Sequence, residues 1–395
     1  MLSRVPRALG GAGLLFSMAV AMASPVPLDT EQKAAAGVVM AFFNADVPRS
    51  VNTVVGDARD YATYTLKTVG AAITIEELIA VQGAVTIPCS VSGSLDVRMA
   101  DVLPRVLRVR WNDCVMTVRL VERKLNGPVA ITLPSDTFEP QSVLGIRLGN
   151  DTGEFLQQWR SEMPTQNDDN TLAHNIALRG DISMTRPWEY GPWTGSSSFV
   201  MNGYFEERRL IEYPLGTPPA AHNAKVEAQR LTVIESGSLF ANFLEDDTRL
   251  VAGSVTFAYD NPPPYGIYSD AYKFNDFHVR RVSDYATFTE QTWIDGRINV
   301  TWNPFVSTGC MDGVYAFNTR VPLSRHLGTG LHDSGEIGIN GSVVASFYSN
   351  LNTPPALPIP VNGMLLSMRV RDVGTFNYDV ANWFDAVWPV GQCRY

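Results

Sequence analysis

Long apolar runs are scarce in this 395-residue chain. After Met22 no stretch approaches the roughly 18 uninterrupted apolar residues that a membrane-spanning helix needs, so no helical anchor is expected downstream of that point. Charge is scarce as well: Asp, Glu, Lys and Arg make up 18% of the residues, and 40 acids stand against 31 bases, a net charge of −9. An acidic surface repels phosphate backbones and anionic headgroups, which argues against nucleic acid or an anionic membrane surface as the main partner. Arg105, Arg108, Arg110, Arg119 and Arg123 do crowd one segment, but on a hairpin they read as its solvated face. Cysteine occurs only four times, with no two positions close enough for a zinc knuckle. There is no Gly-x-Ser-x-Gly elbow, and Gly328-x-Gly330 lacks the strand, helix and lysine of a phosphate cradle. No catalytic residue, metal ligand or cofactor is assigned.

What is present begins with a leader. Arg4 and Arg7 form a basic start, Ala8 to Met22 an apolar run broken by Gly10, Gly11 and Gly13, and Ala21-Met22-Ala23 a small-x-small end. This pattern is that of a signal peptide over residues 1–23, with cleavage before Ser24 and export to the periplasm, cell envelope or medium. Loss of the two arginines takes the net charge from −9 to −11. In an exported chain four cysteines point to two disulfides with three connectivities. Cys89 with Cys114 and Cys310 with Cys393 is the favoured solution, because each bond then closes its own segment.

Residues 24–83 read as helical. Asp29 or Thr30 can cap a helix through Glu31, Ala34, Ala35, Ala36, Val39 and Phe43, rich in good helix formers. Thr74 and Glu77 have capping-box spacing ahead of Leu78, Ile79 and Val81, and Gly83 can close that turn.

From residue 84 to 395 the pattern changes to period two. Leu107, Val109 and Trp111 alternate with Arg108 and Arg110; Ile298, Val300 and Trp302 alternate with Arg297, Asn299 and Thr301. Val255, Phe257 and Tyr259, and then Leu366, Met368 and Val370, behave in the same way. Only a strand puts each set on one face. A glycine signature recurs at Asn126-Gly127, Arg179-Gly180, Asn202-Gly203, Ala252-Gly253, Asp295-Gly296, Asn340-Gly341 and, more loosely, Asn362-Gly363. The Asn-Gly and Asp-Gly copies suit type I′ hairpin turns. Their irregular spacing excludes a propeller or a solenoid of fixed period. The fold class is therefore mainly β: a large antiparallel meander, as a curved sheet, sandwich or partly open barrel, behind a short helical N-terminal segment.

Cys89, Gly93-Ser94, an alternating strand, Trp111-Asn112-Asp113-Cys114 and Leu125-Asn126-Gly127 follow one another within about 45 residues. This order resembles uncharacterised exported bacterial β-hairpin repeat proteins, in which a cysteine-paired hairpin precedes an Asn-Gly turn. The resemblance implies export and an antiparallel β fold, and no activity.

Several residue groups invite chemistry. His326, His332, Asp333 and Glu336 could curl around zinc or manganese, yet their spacing equally makes a polar loop. Glu189, Glu206, Glu207 and Asp295 are eligible as paired acids for glycoside hydrolysis, which leaves no local spacing. Ser238 beside Gly237 suits a turn better than a nucleophile. The loop aromatics Trp188, Tyr190, Trp193, Tyr265, Tyr268 and Tyr272 could stack on sugars or rim an apolar cavity, or fold back as lids. A sheet apolar on one face must hide that face, and two short helices leave much of it uncovered. The leading expectation is thus a non-enzymatic envelope or periplasmic carrier of a lipid-like molecule on a concave β surface. A structural or adhesive envelope component comes next, then an outer-membrane barrel or a carbohydrate-active enzyme.

Overall fold

A computed structural model describes residue 25 and residues 27–380, apart from 82, 101, 119–120, 151–152, 165–170, 187–195, 213–219, 242, 262–265, 304–311 and 329–331. The leader, Cys310, Cys393 and the aromatic residues Trp383, Phe384 and Trp388 therefore lie outside the described residues.

Thr30 accepts from the Lys33 N–H and starts helix α1, Glu31–Ala72, which at 42 residues is about 63 Å long at 1.5 Å per residue. The sequence pointed to a helix only as far as Phe43. Its continuation is held by packing, since Val54, Ala58, Tyr61, Ala62, Leu66 and Val69 recur at helical spacing and are all buried. Earlier in the helix Ala34, Ala35, Ala36, Val38, Val39, Met40 and Ala41 are all fully buried. A helix apolar on every side belongs inside a protein, and the stretch from Ala34 to Ala41 runs through the interior. The short α2, Ile75–Ala80, opens with the expected capping box, in which Thr74 and Glu77 satisfy each other's backbone N–H groups.

The described residues then form one antiparallel sheet of 17 strands. The first half comprises β1 (Val85–Pro88), β2 (Ser92–Met99), β3 (Arg105–Val118), β4 (Val121–Leu133), β5 (Gly145–Leu148), β6 (Phe155–Pro164), β7 (Thr171–Thr185) and β8 (Ser196–Glu212). The longest strands follow: β9 (Ala220–Ala241), β10 (Leu244–Asn261), β11 (Gly266–Asp284) and β12 (Thr289–Asn303). The meander continues through β13 (Gly313–His326), β14 (His332–Ile339), β15 (Val343–Ser349), β16 (Met364–Val370) and β17 (Gly374–Val380). Each strand pairs with the next, except that β5 and β6 share one lane between β4 and β7.

Alternation works as the sequence required. Leu107, Val109 and Trp111 are buried while Arg108 and Arg110 are exposed, and Ile298 and Val300 are buried beside exposed Arg297. Strands β15 and β16 depart from it: Val343 to Phe347, and Met364 to Met368 with the expected outward Ser367 among them, are buried in succession, so both faces of each are covered.

The concave face closes on α1. At the N-terminal end Tyr378 of β17 donates to Glu31, and a Cβ on Gly37 would stand 3.3 Å from the Ile339 side chain of β14. Phe42 packs edge-on against Phe347 at 5.6 Å. Farther along, Tyr61 meets Phe155 of β6 at 4.6 Å, and Gly70 lies against Phe138. A single apolar cluster runs from Leu28 through α1 and α2 to Val370 of β16. Each large aliphatic or aromatic side chain buried there contributes about 1.5–3 kcal/mol.

The glycine signature has a different role from the one its composition suggests. Only Asn340-Gly341, at φ 48° and 65°, forms the expected tight turn, between β14 and β15. Asn126-Gly127, Asn202-Gly203 and Asp295-Gly296 lie inside β4, β8 and β12, at register shifts. At Gly203 φ is 112°, and a Cβ would overlap the Asp181 carbonyl oxygen of β7. Meanwhile Asn202 Oδ1 accepts at 3.2 Å from the N–H of Arg230 of β9, itself at φ 48°. The pair thus joins three strands at a β-bulge, and Asp295-Gly296 repeats this with Thr319 and Asp276. Bulges sharpen strand bend and twist, so these creases curve the sheet around the helix. Composition could not separate the two uses, because turn and bulge both need a residue at positive φ.

Candidate functional site

The expected ligand-facing aromatics are only partly visible. Trp188, Tyr190, Trp193 and Tyr265 fall outside the described residues, as does Glu189. Tyr268 lies in β11 opposite Tyr259 of β10. Tyr272 is buried to 1% exposure, its ring 6.2 Å from Phe257 and 6.3 Å from Phe274, so it belongs to the interior packing.

The histidine-carboxylate group is not drawn together. His332 is buried with its ring 5.4 Å from Phe42 and 5.2 Å from Phe347, and burial pushes its pKa down to about 4, helped by nearby Arg325. His326 is exposed and accepts from the Gly328 N–H at 3.1 Å, closing the local turn. Glu336 pairs with Arg320 at 3.2 Å. Among the described residues no three His, Cys, Asp or Glu side chains are placed to hold a metal. The eligible acids are dispersed too. Glu206 pairs with Arg208 at 2.7 Å, Glu207 is the next residue along β8 and so faces the other side, and Asp295 serves a bulge. Ser238 lies within β9, opposite Asp246 of β10.

The cysteine expectation holds where it can be seen. Cys89, in the β1–β2 turn, is bonded to Cys114 of β3 across 25 residues. Inside the sheet, Asp270 occupies an inward position on β11 with Phe257 of β10 as its direct neighbour. It is 4% exposed, Oδ1 has no hydrogen-bond partner, and burial alone raises its pKa to about 7.

Two recesses among the described residues lie on the polar face of the sheet. One, of about 340 Å³, spans β9 to β12 and is lined by Glu227, Gln229, Ser254, Thr256, Ala271, Tyr272, Lys273, Asn299 and Thr301. A larger one, of about 500 Å³, crosses β2 to β5 and carries Arg98, Arg108, Arg110 and Arg147 around Asp96. Asp96 is engaged on both oxygens, by Thr86 at 2.7 Å and Asn112 at 2.9 Å. Those hydrogen bonds, and then the charges of Arg98 and Arg110, hold its carboxyl below the usual range. Alternation assigns Arg108 and Arg110 to a solvated face, and nothing in the sequence groups Arg98 or Arg147 with them. Only the register brings the four together, because they come from three strands. No protein-family model, curated protein or solved structure matches this chain.

Proposed function

We propose that this chain is a non-enzymatic, exported component of the cell envelope whose working surface is the convex polar face of its sheet. Export rests on the basic, apolar and small-x-small parts of the leader, and the Cys89–Cys114 bond is in keeping with an oxidising compartment. The observation that carries the reading is the enclosure of α1: seven residues between Ala34 and Ala41 are fully buried, so the chain's own helix fills the space in which a carrier would hold an apolar molecule. An outer-membrane barrel would turn its apolar residues outward to lipid. Here Arg108, Arg110, Lys273, Arg297 and Thr301 occupy exposed positions on the outer face.

The test is organic extraction of the purified protein followed by mass spectrometry. No lipid at molar stoichiometry is expected. A lipid recovered at one per chain would overturn this reading in favour of a carrier binding a lipid-like ligand on the concave surface.

A further inference from the structure

Arg98 of β2 stands directly across from Arg108 of β3 in the antiparallel register, and the same row continues through Ala130 of β4 to Arg147 of β5. Opposed like charges at such a pair destabilise a sheet, since the two side chains leave the backbone roughly 5 Å apart. The fold relieves the repulsion only in part, since the single carboxylate of Asp96 stands among three guanidiniums. Arg98, Arg108 and Arg110 make no ion pair with any described residue, and the one carboxylate among them, Asp96, has both oxygens occupied by Thr86 and Asn112. Arg147 is held in place by Asp181 at 3.4 Å. Ala130 stands between Arg108 and Arg147, whose strands are two spacings, about 10 Å, apart. Its small side chain leaves the floor of the recess open. Four guanidiniums thus surround about 500 Å³ on a protein of net negative charge.

We propose that this recess binds a phosphoryl group, carried either on a small soluble ester or on a lipid headgroup. Guanidinium presents a planar fork of N–H donors that matches phosphoryl oxygens, and two such forks facing each other can grip one tetrahedral anion from both sides. The bound anion neutralises the Arg98–Arg108 repulsion, so binding and stabilisation are linked. The remaining volume has room for a polar group attached to the phosphorus. This inference rests on the convex face being the working surface and adds the chemistry it recognises.

The test uses the full mature chain, with inorganic phosphate and glycerol phosphate titrated calorimetrically. Sedimentation with phosphatidylglycerol or phosphatidylcholine vesicles runs in parallel. Binding that weakens at least tenfold in Arg98→Ala and in Arg108→Ala, but not in Arg280→Ala elsewhere on the outer face, is expected. Thermal midpoints in the absence of ligand should stay level or rise in the two groove variants, because removing one of two opposed cations relieves strain. A structural role for these arginines would lower them. Binding of the soluble anions identifies an ester as the source, and selective retention on phosphatidylglycerol vesicles a headgroup. The proposal is overturned if neither probe binds, or if binding survives both groove substitutions. Lipid extraction reads the interior separately, so a carrier result there leaves the groove measurement interpretable.

Discussion

Asn126 and Asp113 hold each other across β3 and β4: the Asp113 N–H donates to Asn126 Oδ1 at 2.7 Å, and Asn126 Nδ2 donates to Asp113 Oδ1 at 3.1 Å. Asp113 is at φ 45° beside the disulfide cysteine Cys114, so a strained backbone position is fixed from two directions. The accepting half of this arrangement recurs at Asn202 and Asp295, whose Oδ1 atoms take the N–H groups of Arg230 and Thr319, which makes the Asx side chain, as much as its glycine, a determinant of sheet curvature.

Substitution at these creases is accordingly costly. Asn126→Ala should lower stability by about 0.5–1.5 kcal/mol, since the exposed Asp113 N–H exchanges its partner for water. Gly203→Ala should lose at least as much, because the added Cβ meets the Asp181 carbonyl and φ stays positive. Urea titration checks both; a midpoint shift below about 0.2 kcal/mol-equivalent in either would contradict the assigned role.

The Cys89–Cys114 bond closes a 25-residue separation. A Cys89→Ala, Cys114→Ala double variant is expected to lose about 2–4 kcal/mol by denaturant unfolding, mainly through a less constrained unfolded chain. Retention of wild-type stability would show that the β2–β3 pairing suffices without the bond.

Asp270 provides a pH signature. Its pKa rises from an ordinary 3.8 to about 7 on folding, so the folded state binds the proton more tightly than the unfolded one. Its favourable contribution is present below pH 4 and lost as pH rises through 7. Relative to wild type, Asp270→Asn should therefore gain stability between pH 4 and 7, at no more than about 1.4 kcal/mol per pH unit. Parallel stability curves for the two proteins would rule out a buried carboxyl.

His332 has the opposite sign. Its pKa falls from 6.5 to about 4, so its contribution is complete above pH 6.5 and lost as pH falls toward 4. His332→Leu should narrow the acid-induced loss of stability relative to wild type. In NMR, the His332 ring protons should keep their neutral chemical shift down to about pH 5; a midpoint near 6.5 would place the ring in water.

How much of this was legible beforehand varies with the range of the interaction. The Thr30 cap, the Thr74–Glu77 capping box, the polar-apolar alternation of β3 and β12 and the pairing of Cys89 with Cys114 follow from residues near one another in sequence. The α1 segment beyond Phe43 did not show itself, because its helicity is maintained by sheet contacts at Val54, Tyr61 and Leu66 rather than by local propensity. The arginine recess was half visible: alternation assigned Arg108 and Arg110 to the polar face, but nothing local links them to Arg98 or Arg147.

A strand-rich chain with one apolar side follows from the order of residues alone, since period two and the sterics of the extended backbone act residue by residue. Tertiary structure alone decided what that side covers, where the sheet bends and which charges meet. The bends and the meeting of charges depend on the register of neighbouring strands, and the cover over the apolar side on contacts between residues far apart in the chain, as when Tyr378 of β17 reaches Glu31 of α1.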